Sequence, residues 1–196
     1  MIEIKIDDDN EVKSYFFPET WDEITVKQFC DVYKIKNDEY TQLEYSMLLL
    51  SCLSGIERET IELMNIEDFK MLLDKLKFIR DEVQKTDVES IIIGEDEYYL
   101  HSDFNRFTTG EIITIEMIMK QANNNLFEVM GDLLCVFLRK KKDNGNLEKF
   151  KTTFMQRKEE FNNLPVSQVY HIFNFFLTGE HSFNNNTKDF IESSLN

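Results

Sequence analysis

A change of hydrophobic period at Pro18 constrains this chain more than any other feature. Before it, Ile2, Ile4 and Ile6 alternate with Glu3 and Lys5, the period of two that marks a half-buried strand. The acidic run Asp7-Asp8-Asp9-Asn10 reads as a turn, and Val12 to Phe17 as the returning strand of a hairpin. Beyond Pro18 the pattern becomes helical. Trp21 to Ile24 supplies apolar anchors, and Thr25 stands at an N-cap position ahead of Val26, Phe29, Val32 and Tyr33. Gln28, three residues after Thr25, completes a capping box. The chain therefore begins with a β-hairpin and turns into a helical body within a few residues.

The same punctuation continues. Thr41 opens a helix through Leu43, Met47, Leu50 and Leu53, with Gly55 as its C-terminal stop. Short helices are expected over Glu57–Met64 and from Ile66 to about Gln84, the latter with Phe69, Leu72, Leu73, Leu76 and Ile79 in one stripe. The period then returns to two. Ser90–Ile93 and Tyr98–Leu100 flank Gly94-Glu95-Asp96-Glu97 and predict a central hairpin. Thr108 or Thr109 caps a helix from Gly110 to about Ala122, and Asn123–Asn125 breaks it. The next helix, Leu126 to Lys140, is apolar nearly all round and is the expected central core element. Asp143–Asn146 reads as a turn, Phe150–Phe161 as an amphipathic helix, and Pro165 as the start of a helix over Val166–Thr178 stopped by Gly179. The fold class is α+β, predominantly α-helical. It comprises one mostly helical domain over residues 1–179, with hairpins over 1–17 and 90–101, and a polar C-terminal tail or arm over 180–196.

Charge narrows the partners. The net charge of −15 opposes direct contact with nucleic acid, which needs Lys and Arg to neutralise phosphates. The acids are uneven: residues 1–100 carry 25 Asp and Glu against 11 Lys and Arg, and the remainder is close to balanced. That asymmetry either solvates helix faces or steers a basic partner toward one end. The 17 phenylalanines provide enough apolar mass for a true core. Cys30, Cys52 and Cys135 lie far apart in apolar stretches and read as buried free thiols of a reducing compartment. The N-terminus lacks a basic start followed by an apolar run, so no secretory signal is expected, and charged residues interrupt every apolar stretch short of a membrane span.

Catalytic and metal motifs are not met. His101, His171 and His181 have no His or Cys at ligand spacing. Asp7, Asp9 and Glu11 imitate the opening of a calcium loop. Val12 stands where that loop needs glycine, however, and Pro18 where it needs a bidentate Glu, so a hairpin turn explains them better. No nucleophile elbow or glycine-rich phosphate loop is present. Neither a cofactor nor a metal is expected, and the reading is of a protein that is not an enzyme. Arg139-Lys140-Lys141-Lys142 is a basic cluster with two readings: favourable charge at a helix C-terminus, or contact with an acidic neighbour.

The segment Glu19-Thr20-Trp21-Asp22-Glu23-Ile24-Thr25-Val26-Lys27-Gln28-Phe29 resembles the opening of small proteins from the structural and morphogenetic modules of tailed bacteriophages. Those of the crAss-like, Bacteroidetes-infecting group are the most similar. A second stretch, Ile91 to Ile115, resembles them too, with Leu100-His101-Ser102-Asp103 after the hairpin and Thr109-Gly110-Glu111 opening a helix. Together the two cover about a quarter of the chain. The resemblance implies a virion component made in the host bacterial cytoplasm, a head-to-tail connector, neck or tail ring subunit. Such a subunit would form a homo-oligomer and meet portal, connector or tail proteins. A tail assembly chaperone that leaves before maturation is the alternative, and an acidic inhibitor that mimics DNA is a second one. The residues expected at contacts are Trp21, Arg139, Lys140, Lys141, Phe183 and Phe190.

Overall fold

The computed structural model describes residues 1–8, 11–83, 90–103 and 106–173. The expected helix end at Gly179, the tail over 180–196 with Phe183 and Phe190, and the Asp9-Asn10 turn tip lie outside the described residues. The fold is α+β and predominantly helical, with two small antiparallel sheets.

Strands β1 (Ile2–Asp8) and β2 (Glu11–Phe17) pair antiparallel, with Ile2 opposite Phe17, Ile4 opposite Tyr15 and Ile6 opposite Lys13. Period-two alternation puts these six side chains on one face, half-buried or buried toward the body, and leaves Glu3, Lys5, Val12, Ser14 and Phe16 outside. Phe17 is fully buried and anchors the hairpin at its base.

The capping signals at Thr25 and Thr41 are met. Helix α1 (Val26–Lys34) starts at Thr25, whose hydroxyl accepts from the Gln28 N–H while Gln28 reaches back to the Thr25 N–H. Helix α2 (Gln42–Ser54) opens with the same reciprocal pair, Thr41 and Glu44, and ends on Gly55 at φ 73°. That left-handed conformation is one glycine adopts without steric penalty. Helices α3 (Arg58–Glu62) and α4 (Ile66–Lys75) follow, and a 3₁₀ turn over Leu76–Arg80 ends the stripe earlier than expected.

The central hairpin is present as β3 (Ser90–Ile93) and β4 (Asp96–Leu100), but it is two-thirds of a larger sheet. Helix α5 (Thr109–Gln121) is capped by Thr108 with Glu111, and Asn123 and Asn124 take positive φ to reverse the chain. The expected single helix from Leu126 to Lys140 is corrected in two places. It begins as a 3₁₀ turn over Leu126–Val129 and continues as α6 (Met130–Phe137). Leu138–Lys140 is then a strand, β5, paired with β4 so that Tyr99 faces Arg139. At the switch the Arg139 guanidinium folds back and donates to the carbonyls of Cys135 (3.1 Å) and Leu138 (3.0 Å), groups that a helix end leaves open. The expected helix over Phe150–Phe161 is also shorter, a 3₁₀ turn over Thr152–Arg157 followed by α7 (Lys158–Asn162). Helix α8 begins at residue 166 and is described to residue 173.

Every residue of α6 except Asp132 is buried, which makes it the central element. One buried cluster joins it to Phe29 of α1, Leu50 of α2, Phe161 of α7 and Phe173 of α8. Two starts of helix are stitched together across the core: the Val26 N–H donates to the Leu164 carbonyl (2.9 Å) and the Val166 N–H to the Ile24 carbonyl (2.8 Å). Segments far apart in sequence are thereby fixed side by side.

Candidate interaction surfaces

Trp21 sits at the start of a 3₁₀ turn over Trp21–Glu23, half-buried. Its indole Nε1 donates to the Asp81 carbonyl (3.0 Å), and its ring meets Phe29 and Phe78 edge-on with centroids 5.9 and 5.6 Å away. The indole thus ties the entry of α1 to the chain segment leaving the Leu76–Arg80 turn. Beside it opens a cleft of about 330 Å³ whose lining includes Trp21, Phe29, Tyr33, Tyr45, Tyr170, Asp81 and Glu82. Burial pushes the Tyr33 hydroxyl above its usual pKa, and the neighbouring phenols of Tyr170 and Tyr45 add to that. The three tyrosines therefore share one concavity.

A second concavity, about 530 Å³, runs between β1 and the α3–α4 corner, with Ile4, Ile6, Leu63, Met64 and Met71 among its walls. Leu63 is 82% exposed, and Ile66 and Met71 are exposed beside it. On the outer face of the hairpin Val12 and Phe16 are 62% and 57% exposed. Among the described residues β1 and β2 have only each other as strand partners. A two-stranded ribbon of this kind presents backbone donors and acceptors along its free edges.

The basic cluster does not form the surface the sequence suggests. Arg139, expected at a contact, is 1% exposed, so it is removed from the candidate contacts. Its Nη2 donates to Glu111 Oε1 (3.0 Å), and the rings of Phe150 and Phe154 lie 5.1 and 5.2 Å from the guanidinium carbon. Glu111 is the capping-box acid of α5, and its other oxygen accepts from the Thr108 N–H and hydroxyl, both at 2.7 Å. Burial pushes the Glu111 carboxyl up, but the Thr108 hydrogen bonds and Arg139 outweigh it and hold the pKa below the usual range. Burial drives Arg139 the other way, downward, with Glu111 opposing. A guanidinium with one carboxylate and two backbone carbonyls in reach stays charged at neutral pH.

Lys140 pairs with the Asp96 carboxylate and lies over the Tyr98 ring at 5.3 Å. Lys141 is exposed, and its ammonium stands 3.4 Å from the Tyr99 ring centroid. A residue the sequence reading passed over, Arg157, holds the neighbouring strand ends: it donates to Glu148 Oε1 (2.7 Å) while its plane covers Phe154 at 4.0 Å. Glu148 Oε1 also accepts from the Lys140 N–H (3.1 Å), so one carboxylate clasps β5 and the Thr152–Arg157 turn.

Cys30, Cys52 and Cys135 are free thiols as expected, but only Cys30 and Cys135 are buried, and Cys52 is half-buried. Among the described residues no group of three or more His, Cys, Asp and Glu side chains is arranged to hold a metal ion. No helix of the described residues is long and apolar enough to cross a membrane. Comparison of the chain with protein-family models, with curated proteins and with solved structures finds no match.

Proposed function

We propose that the chain is a non-enzymatic structural subunit of a tailed-phage virion, a head-to-tail connector, neck or tail ring protein that acts by packing against copies of itself and against portal, connector or tail neighbours. The observation that carries this reading is the exposed apolar arm and groove. Val12 and Phe16 face solvent on the outer side of the hairpin, and Leu63, Ile66 and Met71 do so beside the β1 groove. Isolated exposed apolar residues need no explanation, but a run of them along an open concavity marks an interaction surface. An isolated two-stranded ribbon is marginal in water, so a neighbouring subunit that covers it also stabilises it. The resemblance of the Glu19–Phe29 and Ile91–Ile115 segments to phage morphogenesis proteins supplies the setting.

The open edge of β1 beside the groove also favours a second reading, a tail assembly chaperone. An extended segment of a client can add to a free strand edge and place alternate side chains in adjacent pockets. Quantitative mass spectrometry of purified particles, referenced to the portal protein, separates the two. A fixed ring-like ratio supports the structural subunit. Abundance in infected cells with absence from particles rejects it in favour of the chaperone.

A further inference from the structure

The arm-and-groove surface leaves the aromatic cleft at Trp21 without a role, and that cleft has its own chemistry. We propose that it receives the cationic side chain, lysine or arginine, of a basic segment on a partner protein. This goes beyond the virion reading and does not depend on it.

The walls favour a cation over other ligands. Trp21, Phe29, Tyr33, Tyr45 and Tyr170 contribute to the lining, and aromatic faces attract an ammonium or guanidinium through their quadrupoles. Asp81 and Glu82 belong to the same lining and are exposed, so they stand where the cleft meets solvent. Among the described residues neither carboxylate has an ion-pair partner. Among the described residues the lining contains no Lys, Arg or His, so its charged groups repel an anionic ligand. A neutral apolar group would leave the carboxylates no gain and desolvate the tyrosine hydroxyls.

The cage is also held in place before anything binds. The Trp21 hydrogen bond to the Asp81 carbonyl fixes one wall, and Tyr33 stacks on Phe127 with centroids 4.6 Å apart and planes at 27°. Preorganised walls lower the ordering cost of capturing one flexible side chain. The volume of about 330 Å³ is at the small end of ligand sites, suited to a single side chain rather than a cofactor. Charge complementarity points to a basic partner: the chain carries −15 overall, and every cleft residue named here except Tyr170 comes from its acidic half.

Trp21 is the only tryptophan, so its fluorescence reports occupancy of this cleft directly. The full chain is titrated with Nα-acetyl-lysine N-methylamide, with the arginine equivalent, and with the uncharged norleucine equivalent. A saturable change of emission is expected for both cations, with the norleucine probe at least about tenfold weaker. Asp81→Asn and Glu82→Gln, exposed substitutions that leave the urea midpoint unchanged, are expected to weaken the cations about fivefold each. A lysine within an extended alanine-glycine peptide is expected to bind more tightly than the single-residue probe. Equal binding of norleucine, no saturable change, or affinity indifferent to both carboxylates would overturn the proposal. A peptide that binds no better than the single-residue probe assigns the cleft to a free small cation and overturns the partner assignment.

Discussion

The Glu111–Arg139 pair allows the sharpest test of how this fold is held. Its two side chains are 4% and 1% exposed, and they join the first turn of α5 to the end of α6. Removing one partner of a buried pair leaves an uncompensated charge and costs about 3–5 kcal/mol. Loss of the capping box at Thr108 contributes about 1 kcal/mol of the same order as other caps. Glu111→Leu is therefore expected to lose about 4 kcal/mol, a large share of the roughly 5–15 kcal/mol that stabilises a domain. Arg139→Met alone is expected to lose about 3 kcal/mol, less than its partner because Thr108 still satisfies the Glu111 carboxylate. The double variant, with two apolar side chains under Phe150 and Phe154, is expected to lose only about 1 kcal/mol, the capping contribution. Urea denaturation followed by far-ultraviolet circular dichroism measures all four corners of the cycle. A Glu111→Leu loss below about 1 kcal/mol, or a double-variant loss equal to the sum of the singles, would show that the pair does not bear the charge balance described. The pair also sets a pH dependence. Because the folded Glu111 pKa is depressed, its contribution is fully present above the unfolded carboxylate value and is lost as pH falls through the folded one. Stability of the native chain is therefore expected to decline in acid more steeply than that of Glu111→Gln.

Further expectations rest on single contacts. A Cβ at Gly131 would come 1.9 Å from Asn162 Oδ1, so Gly131→Ala is expected to destabilise by about 1–3 kcal/mol. In an Asn162→Ala background the same change is expected to stabilise by up to about 1 kcal/mol through helix propensity, and an unchanged sign in thermal melts would refute the clash. Gly55→Ala is expected to lose about 1–2 kcal/mol because alanine is strained at φ 73°; a neutral urea midpoint would contradict the left-handed cap. Burial pushes the thiols of Cys52 and Cys135 up to about 11 and about 12. Neither is expected to react with a disulfide reagent at neutral pH until denaturant is added, and prompt labelling of Cys135 in the native chain would count against the buried α6. Val12→Ser with Phe16→Ser is expected to leave the melting temperature nearly unchanged while weakening self-association or particle incorporation; retention of both would remove the arm from the assembly surface.

Local order was readable because its causes are local. Thr25 with Gln28, Thr41 with Glu44, and Thr108 with Glu111 cap their helices through partners three residues away, and Gly55 terminates α2 through its own backbone. The alternation of Ile2, Ile4 and Ile6 set the hairpin face for the same reason. The strand β5 was not readable. The run Leu133–Leu138 is apolar without a break, and such a run suits a buried helix and a buried strand equally. What ends α6 is a long-range event: β4 offers an edge to Leu138–Lys140, and Arg139 finds Glu111 28 residues away. Burial of Arg139 follows from that pairing, whereas composition alone places a basic cluster at the surface. The cleft is likewise a product of tertiary packing, because Trp21, Tyr45, Asp81 and Tyr170 meet only when α1, α2, the Leu76–Arg80 turn and α8 close around one point. Periodicity and caps depend on neighbours a turn away, so the sequence by itself determines where capped helices start and which way the hairpin strands face. Which charges are buried, and which rings share a cavity, depends on residues brought together from the whole chain, and only the tertiary structure decides that.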